Sequence, residues 1–244
     1  MILYGRNPVR EALRGGRARQ VGDVWATAGA AREPWLEGIP AKVVTGEEIE
    51  RRCGSGAHQG LCAEAGAYHY AGAERLLAGE SPLLVALDQI QDPQNLGAIC
   101  RTAECAGAAG VVIPERRAAE VTPAVCKASA GAVEHLPVAR VRNMADFLAE
   151  ARRAGCWCYG ASAESAPGER PPVPYDRPDY AGAGVVLVLG SEGSGLRPRV
   201  ASSCDELIAL PLLGKVQSLG VSAAAAALLY EILQNRRRGL DKAS

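Results

Sequence analysis

From Leu83 onward short apolar runs alternate with stretches of helical periodicity, and this alternation limits the fold more than any other feature of the chain. Strands are predicted at 83–87, 110–113, 138–141, 156–161, 185–189 and 207–210, and helices at 95–106, 122–129, 144–154 and 221–235. Strands that are apolar on both faces need cover on both faces. Helices placed between successive strands supply it, so the spacing predicts an α/β domain with a mostly parallel sheet over 82–244. Residues 1–70 alternate shorter helical and extended pieces and read as a small α/β module. The polar, small-residue stretch 71–81 reads as a linker, and the proline-rich 166–180 as a surface loop without an element of its own.

Composition narrows the function classes. The 244 residues are 48% hydrophobic, which rules out a disordered chain, and 27 basic residues balance 27 acidic ones, so any contact with a polyanion must come from a local patch. Such a patch is present near the start. Arg6, Arg10, Arg14 and Arg17 recur at near-helical spacing and, with Arg19 against Glu11, leave residues 1–20 at net +4, which suits phosphates as well as it suits a solvated helix face. Eight cysteines scattered through a chain of this size need no disulfides, and the opening MILYGRNPVREAL lacks a secretory signal pattern; the expectation is a reduced, cytoplasmic protein. No apolar run nears the roughly 18 residues of a membrane helix. Cys53, His58, Cys62 and His69 are close in sequence but fit no zinc spacing, so no metal is expected.

Three motifs carry the chemistry. In the first, DQIQDPQNLGAICRTAE (88–104), Asp92-Pro93 reads as the cap and first residue of a helix. Leu96, Ile99, Cys100 and Ala103 form its core face, which leaves Arg101 and Glu104 off that face, spaced to pair with each other. The second, VVLVLGSEGSGL (185–196), is a buried strand running into a glycine loop whose G-x-x-G-x-G spacing is not the dinucleotide fingerprint. The third, LIALPLLGKVQSLGVS (207–222), joins a strand to an alanine-rich helix, with Ser218 or Ser222 as a candidate cap.

In their order and spacing the three segments resemble the motifs of the SpoU/TrmH (SPOUT) family of RNA ribose 2′-O-methyltransferases. LYGRNPVREAL and HQGLCAEAGAYHY resemble the substrate-recognition domain of RlmB-type enzymes, which methylate a guanosine of 23S ribosomal RNA. The likeness spans nearly the whole chain. It implies S-adenosylmethionine as cofactor, a homodimer, and a C-terminal α/β domain tied in a deep trefoil knot behind a small N-terminal RNA-recognition domain. By position it implies Asn95, Arg101, Glu192 and Ser218 as catalytic residues. It further implies Leu189, Gly190, Ser191, Gly195, Ile208, Leu210, Ser218 and Leu219 around the cofactor, and Arg6, Arg10, Arg14, Arg17 and Arg101 on RNA. The family usually has Asn where this chain has Gly220, so one polar side chain is missing. A noncatalytic RNA-binding module and a transfer-RNA 2′-O-methyltransferase are the competing functions.

The resemblance leaves two roles open for Arg101. As general base a guanidinium would cost roughly 8 kcal/mol to deprotonate at pH 7; as a cation it would grip the nucleotide phosphate and stabilise developing oxyanion charge.

Overall fold

The computed structural model describes residues 1–162, 171–216 and 218–243. The front segment builds β1 (Ile2–Tyr4), α1 (Arg6–Arg14), β2 (Val21–Ala26), β3 (Ala41–Val43), α2 (Gly46–Cys53) and β4 (Leu61–Ala65). Its four strands form one sheet in the order β1-β4-β2-β3. Local signals set α2: the Thr45 hydroxyl accepts the Glu48 N–H at 3.2 Å to start it, and Gly54, in the left-handed region, ends it.

The remainder builds α3 (Ala73–Leu76), β5 (Leu83–Asp88), α4 (Pro93–Cys105), β6 (Gly110–Pro114), α5 (Pro123–Ala128), β7 (Val138–Val141), α6 (Met144–Arg153) and β8 (Cys156–Ala161). It continues with β9 (Val173–Pro174), β10 (Gly184–Gly190), α7 (Pro198–Ala201), β11 (Glu206–Ala209) and α8 (Val221–Ala243). Seven strands join one sheet in the order β7-β6-β5-β10-β8-β11-β9, and every neighbouring pair is parallel. The α/β reading with a small front module therefore stands. Alternate residues serve opposite faces: Leu83, Val85 and Leu87 of β5, with Val185, Leu187 and Leu189 of β10, join α4 and α8 in one core. Leu84, Ala86, Val186 and Val188 face α6 and α7 in the other. This two-sided burial is why the strands lack polar alternation.

The stretch 71–81 is anchored at its start, where Ala71 pairs with Ala139 beside the large sheet and α3 buries Leu76. One expectation needs correction. Of the proline-rich 166–180, residues 166–170 lie outside the described residues, and the rest contributes β9. Proline is tolerated there because β9 is an edge strand. Tyr180 is buried, its hydroxyl donating to the Tyr175 carbonyl at 2.5 Å and its N–H to Asn235 of α8 at 3.0 Å.

The two sheets share one continuous core. At their junction Arg17 and Glu134 are both buried and paired, with the Arg17 Nε–H donating to Glu134 Oε2 at 2.9 Å and an Nη to the Gly66 carbonyl at 3.1 Å. The Tyr68 hydroxyl donates to the Val133 carbonyl at 3.2 Å, and the Arg17 guanidinium lies over the Tyr68 ring. All eight cysteines are free; burial pushes the thiols of Cys62 and Cys126 up to about 11 and that of Cys100 to about 12. Among the described residues no helix is long and apolar enough to cross a membrane.

Removing one partner of a buried pair strands the other charge. Glu134→Ala is therefore expected to lower unfolding free energy by about 3–5 kcal/mol in urea titrations, whereas the double replacement Arg17→Met with Glu134→Leu costs less, since no charge is left behind. A single variant as stable as the wild type would show that the pair does not hold the junction.

Candidate active site

The strand order reverses at β5: β6 and β7 extend to one edge, and β10 returns to lie between β5 and β8. Open α/β sheets take ligands outside the carboxyl ends of strands at such a reversal. Here β10 ends at Gly190, and the chain closes a tight loop in which Ser191 and Gly195 exchange backbone hydrogen bonds at 3.1 and 2.9 Å. A Cβ on Gly190 would lie 2.1 Å from the Gly195 carbonyl carbon, so no larger residue fits. Arg197 ties the far end of the loop to the sheet. Its backbone N–H, Nε and Nη2 donate to the fully buried Asp88 carboxylate at 3.0, 2.9 and 2.6 Å.

The ends of β8, β10 and β11 and the start of α8 enclose a cleft of about 520 Å³. All eight positions expected around a cofactor line it: Leu189, Gly190, Ser191, Gly195, Ile208, Leu210, Ser218 and Leu219. Leu212, Val221 and Leu228 extend the apolar wall, and the Ser191 and Ser194 hydroxyls hydrogen-bond to each other at 2.8 Å on its polar rim. The Ser218 hydroxyl accepts the Gly220 N–H at 3.2 Å, so it shapes the turn that leads into α8. Gly220 sits in the left-handed region at φ 75, which glycine and asparagine both adopt readily.

Glu192 links two helices. Its Oε1 accepts the Asn95 side-chain amide at 3.2 Å and the Val221 backbone N–H at 3.4 Å, placing a carboxylate at the N-terminal ends of α4 and α8, where the helix dipoles favour it. Asn95 and Glu192, 97 residues apart, thus meet. Arg101 does not join them. It is exposed, lies outside the cleft lining, and stands about 9 Å further along α4 and roughly 120° around the helix from Asn95. The core face of α4 is as expected, but Arg101 and Glu104 form no ion pair among the described residues.

The basic stripe of residues 1–20 is largely spent within the fold. Arg6 pairs with Glu33 at 2.6 Å, Arg10 with Glu11 at 2.7 Å, and Arg17 is buried against Glu134, which removes it from any phosphate-facing surface; Arg14 is exposed without an ion pair among the described residues. Cys62 is buried, and no trio of metal-ligating side chains is assembled among the described residues. Sequence reading missed Asp88 and Arg197. A signal for Asp88 existed, since an acidic residue directly after the apolar run 83–87 has to be paired once that strand is central. Nothing local marked Arg197 as its partner.

A family model described as the SpoU rRNA Methylase family matches residues 82–230, and one described as RNA 2′-O ribose methyltransferase substrate binding matches residues 2–71. The chain is 39% identical over 251 residues to YacO of Bacillus subtilis, assigned to the TrmH family of tRNA/rRNA methyltransferases, covering 96% of this chain and 95% of that one. It is 37% identical to an uncharacterized tRNA/rRNA methyltransferase of Mycolicibacterium vanbaalenii, covering 97% of this chain and 77% of the other. Among solved structures, an AdoMet-bound rRNA methyltransferase from Sinorhizobium meliloti superposes with TM-score 0.77 at 27% identity, over 98% of this chain and 87% of that one. The AviRb methyltransferase of Streptomyces viridochromogenes shares the fold with TM-score 0.77 at 23% identity, over 97% of this chain and 90% of its own.

Because Gly190 touches the backbone of residues 195–196, Gly190→Ala has to push the loop away from β10. An unfolding free energy lower by at least about 1–3 kcal/mol is expected from the forced overpacking. Wild-type stability in that variant would mean that the loop yields freely.

Proposed function

The chain belongs to the SpoU family of RNA methyltransferases, and from that premise we propose that it moves a methyl group from S-adenosylmethionine to a ribose 2′-hydroxyl of RNA, on a guanosine of 23S ribosomal RNA. The observation that carries this reading is that the second and third motifs line one cleft while Glu192 of the second, on that lining, holds Asn95 of the first and the helix start within the third. In the same proposal residues 1–70 recognise RNA, 71–81 connect, and 82–244 carry the methyltransferase unit with its deep trefoil knot, in the cytoplasm and without a metal.

The residues suit the cofactor. A cleft of about 520 Å³ with an apolar wall, serine hydroxyls and glycine backbone offers stacking for a base and hydrogen bonds for polar groups. When bound, S-adenosylmethionine supplies a methyl group activated by its sulfonium charge. Leu189, Ile208 and Leu210 would hold it against an apolar wall, and the glycine loop would let the backbone approach it closely. Arg101, exposed to water, grips the nucleotide phosphate through two parallel hydrogen bonds and stabilises negative charge as the 2′-oxygen attacks. The hydroxyl proton passes to water or to the Glu192 carboxylate.

Because Arg101 stands outside the cleft of its own chain, the working form in this proposal is a homodimer in which one copy supplies Arg101 to the other. Two features support it. Leu213, Val216 and Leu219 beside the cleft are 98, 75 and 52% exposed, and Ala223, Ala227 and Tyr230 form an uncovered apolar strip on α8.

Nucleoside mass spectrometry after incubation with S-adenosylmethionine and either ribosomal or transfer RNA tests the reaction, and the relatives' tRNA/rRNA names make both substrates necessary. A 2′-O-methylguanosine in 23S RNA is expected; its appearance in transfer RNA alone would move the substrate, and no methylnucleoside with no cofactor binding would leave a binding module. Arg101→Ala is expected to cut transfer at least about 100-fold without changing cofactor affinity. Arg101→Lys should retain part of the rate with an unshifted pH profile, since a cation is what the site needs; a shifted profile would make Arg101 the base instead. Mixing Arg101→Ala with Glu192→Ala protein should restore activity if sites are shared between copies, and no restoration would place Arg101 and Glu192 in one chain's site.

A further inference from the structure

The connection 115–122 between β6 and α5 is held at nearly every turn. The Glu115 N–H donates to the Val141 carbonyl at 2.9 Å, the Ala119 N–H to the Ile90 carbonyl at 2.8 Å and the Val121 N–H to the Tyr70 hydroxyl at 2.9 Å. Arg140 braces it from β7, donating to the Glu115 carbonyl at 3.1 Å, pairing with Glu120 at 3.2 Å and lying over the Tyr70 ring. Ala119 and Val121 are buried. Between these anchors stand Arg116 and Arg117, both exposed and neither in a hydrogen bond or ion pair among the described residues. Arg117 has φ 58, a left-handed conformation that an arginine rarely adopts unless its surroundings impose it.

Position gives this tip a use. The Ala119–Ile90 hydrogen bond fastens it to the loop that leads into Asn95 and the cleft, and the Val121–Tyr70 bond fastens it to the end of the front module. Arg116, Arg117, Arg140 and Arg142 outnumber Glu115 and Glu120 around it, a local net of +2 in a chain of zero net charge. Arg6, Arg10 and Arg17 of the front segment are engaged in ion pairs, so their capacity for phosphate is reduced where that of Arg116 and Arg117 is not. A rigid loop also holds its cations without the ordering cost of a mobile one.

We propose that Arg116 and Arg117 form a phosphate-binding tip that grips the RNA backbone between the front module and the methylation cleft. The inference rests on the RNA methyltransferase reading and adds to it the route of the substrate strand. Each arginine neutralises one phosphate by ion pairing and releases condensed counterions, so both contribute to affinity irrespective of base sequence.

The test is filter binding of in-vitro-transcribed 23S ribosomal RNA to the full chain across a salt series. Asn replaces Arg117 because it tolerates the left-handed backbone. The double variant Arg116→Ala with Arg117→Asn is expected to bind about tenfold or more weakly, with the slope of log affinity against log salt shallower by about 1.4–1.8 for two lost phosphate contacts. S-adenosylmethionine affinity measured by calorimetry should be unchanged. The charge-keeping double variant Arg116→Lys with Arg117→Lys should recover the wild-type slope. If the first variant unfolds more readily, Arg116→Ala alone decides: a slope shallower by about 0.7–0.9 supports the tip, and a wild-type slope overturns it. Wild-type affinity and slope in the Ala/Asn variant overturn it outright. Failure of the wild type to methylate any RNA would instead sink the methyltransferase reading, while the salt slopes would still report on the tip.

Discussion

The buried Asp88–Arg197 pair is the contact on which the site depends. A carboxylate with no solvent exposure at the end of a central strand is tolerable only if fully hydrogen-bonded, and Arg197 supplies a backbone N–H and two guanidinium donors to it. In meeting that need Arg197 drags the chain after β10 back towards β5, so the glycine loop is folded over the strand ends instead of trailing into solvent. The exchange of hydrogen bonds between Ser191 and Gly195, the contact of Gly190 with the 195–196 backbone and the position of Glu192 all follow from that return.

Glu192 turns the folded loop into a junction. Its carboxylate meets donors from two helix starts, one a side chain and one a backbone N–H that the helix itself leaves unsatisfied. Gly220 belongs to the same junction. Glycine keeps the left-handed turn that asparagine would also adopt, and a Cβ there would lie 3.7 Å from Glu192 Oε1. The departure from the family's usual residue therefore spares the backbone and removes a side chain that would have stood beside the carboxylate. Asn95 and Val221 are the donors that remain to it.

The front module is bound to the larger sheet by chemistry as specific as that of the cleft. Arg17 looked like part of a phosphate-binding stripe because spacing alone cannot separate a cation facing water from one facing a buried glutamate 117 residues away. The junction also carries His135 against Glu11 at 3.0 Å and Lys127 against Gln59 at 2.8 Å, and burial lowers the Lys127 ammonium from its ordinary range. With a shared core and these polar contacts, the two modules form one body, and the route between them is a surface of fixed shape.

Local pattern was enough for the long elements and for the cofactor-side wall of the site, though not for the short α3, α7 and β9. The apolar runs of β5, β6, β8 and β10 are long and two-sided, the caps at Asp92 and Thr45 are side-chain signals read within three residues, and the residues around the cleft occupy contiguous motifs. Gly190 was legible as a glycine of the loop and a cofactor position, but its contact with the 195–196 backbone was not. What required the tertiary structure was every pairing between distant charges: Asp88 with Arg197, Arg17 with Glu134, Asn95 with Glu192, and the absence of a partner for Arg101 among the described residues. Strand and helix formation depend on neighbours a few residues apart, which sequence displays. The partner of a buried charge depends on which strand ends the sheet order brings together, and β10 reaches β5 only after the chain has passed through four other strands of the same sheet and returned.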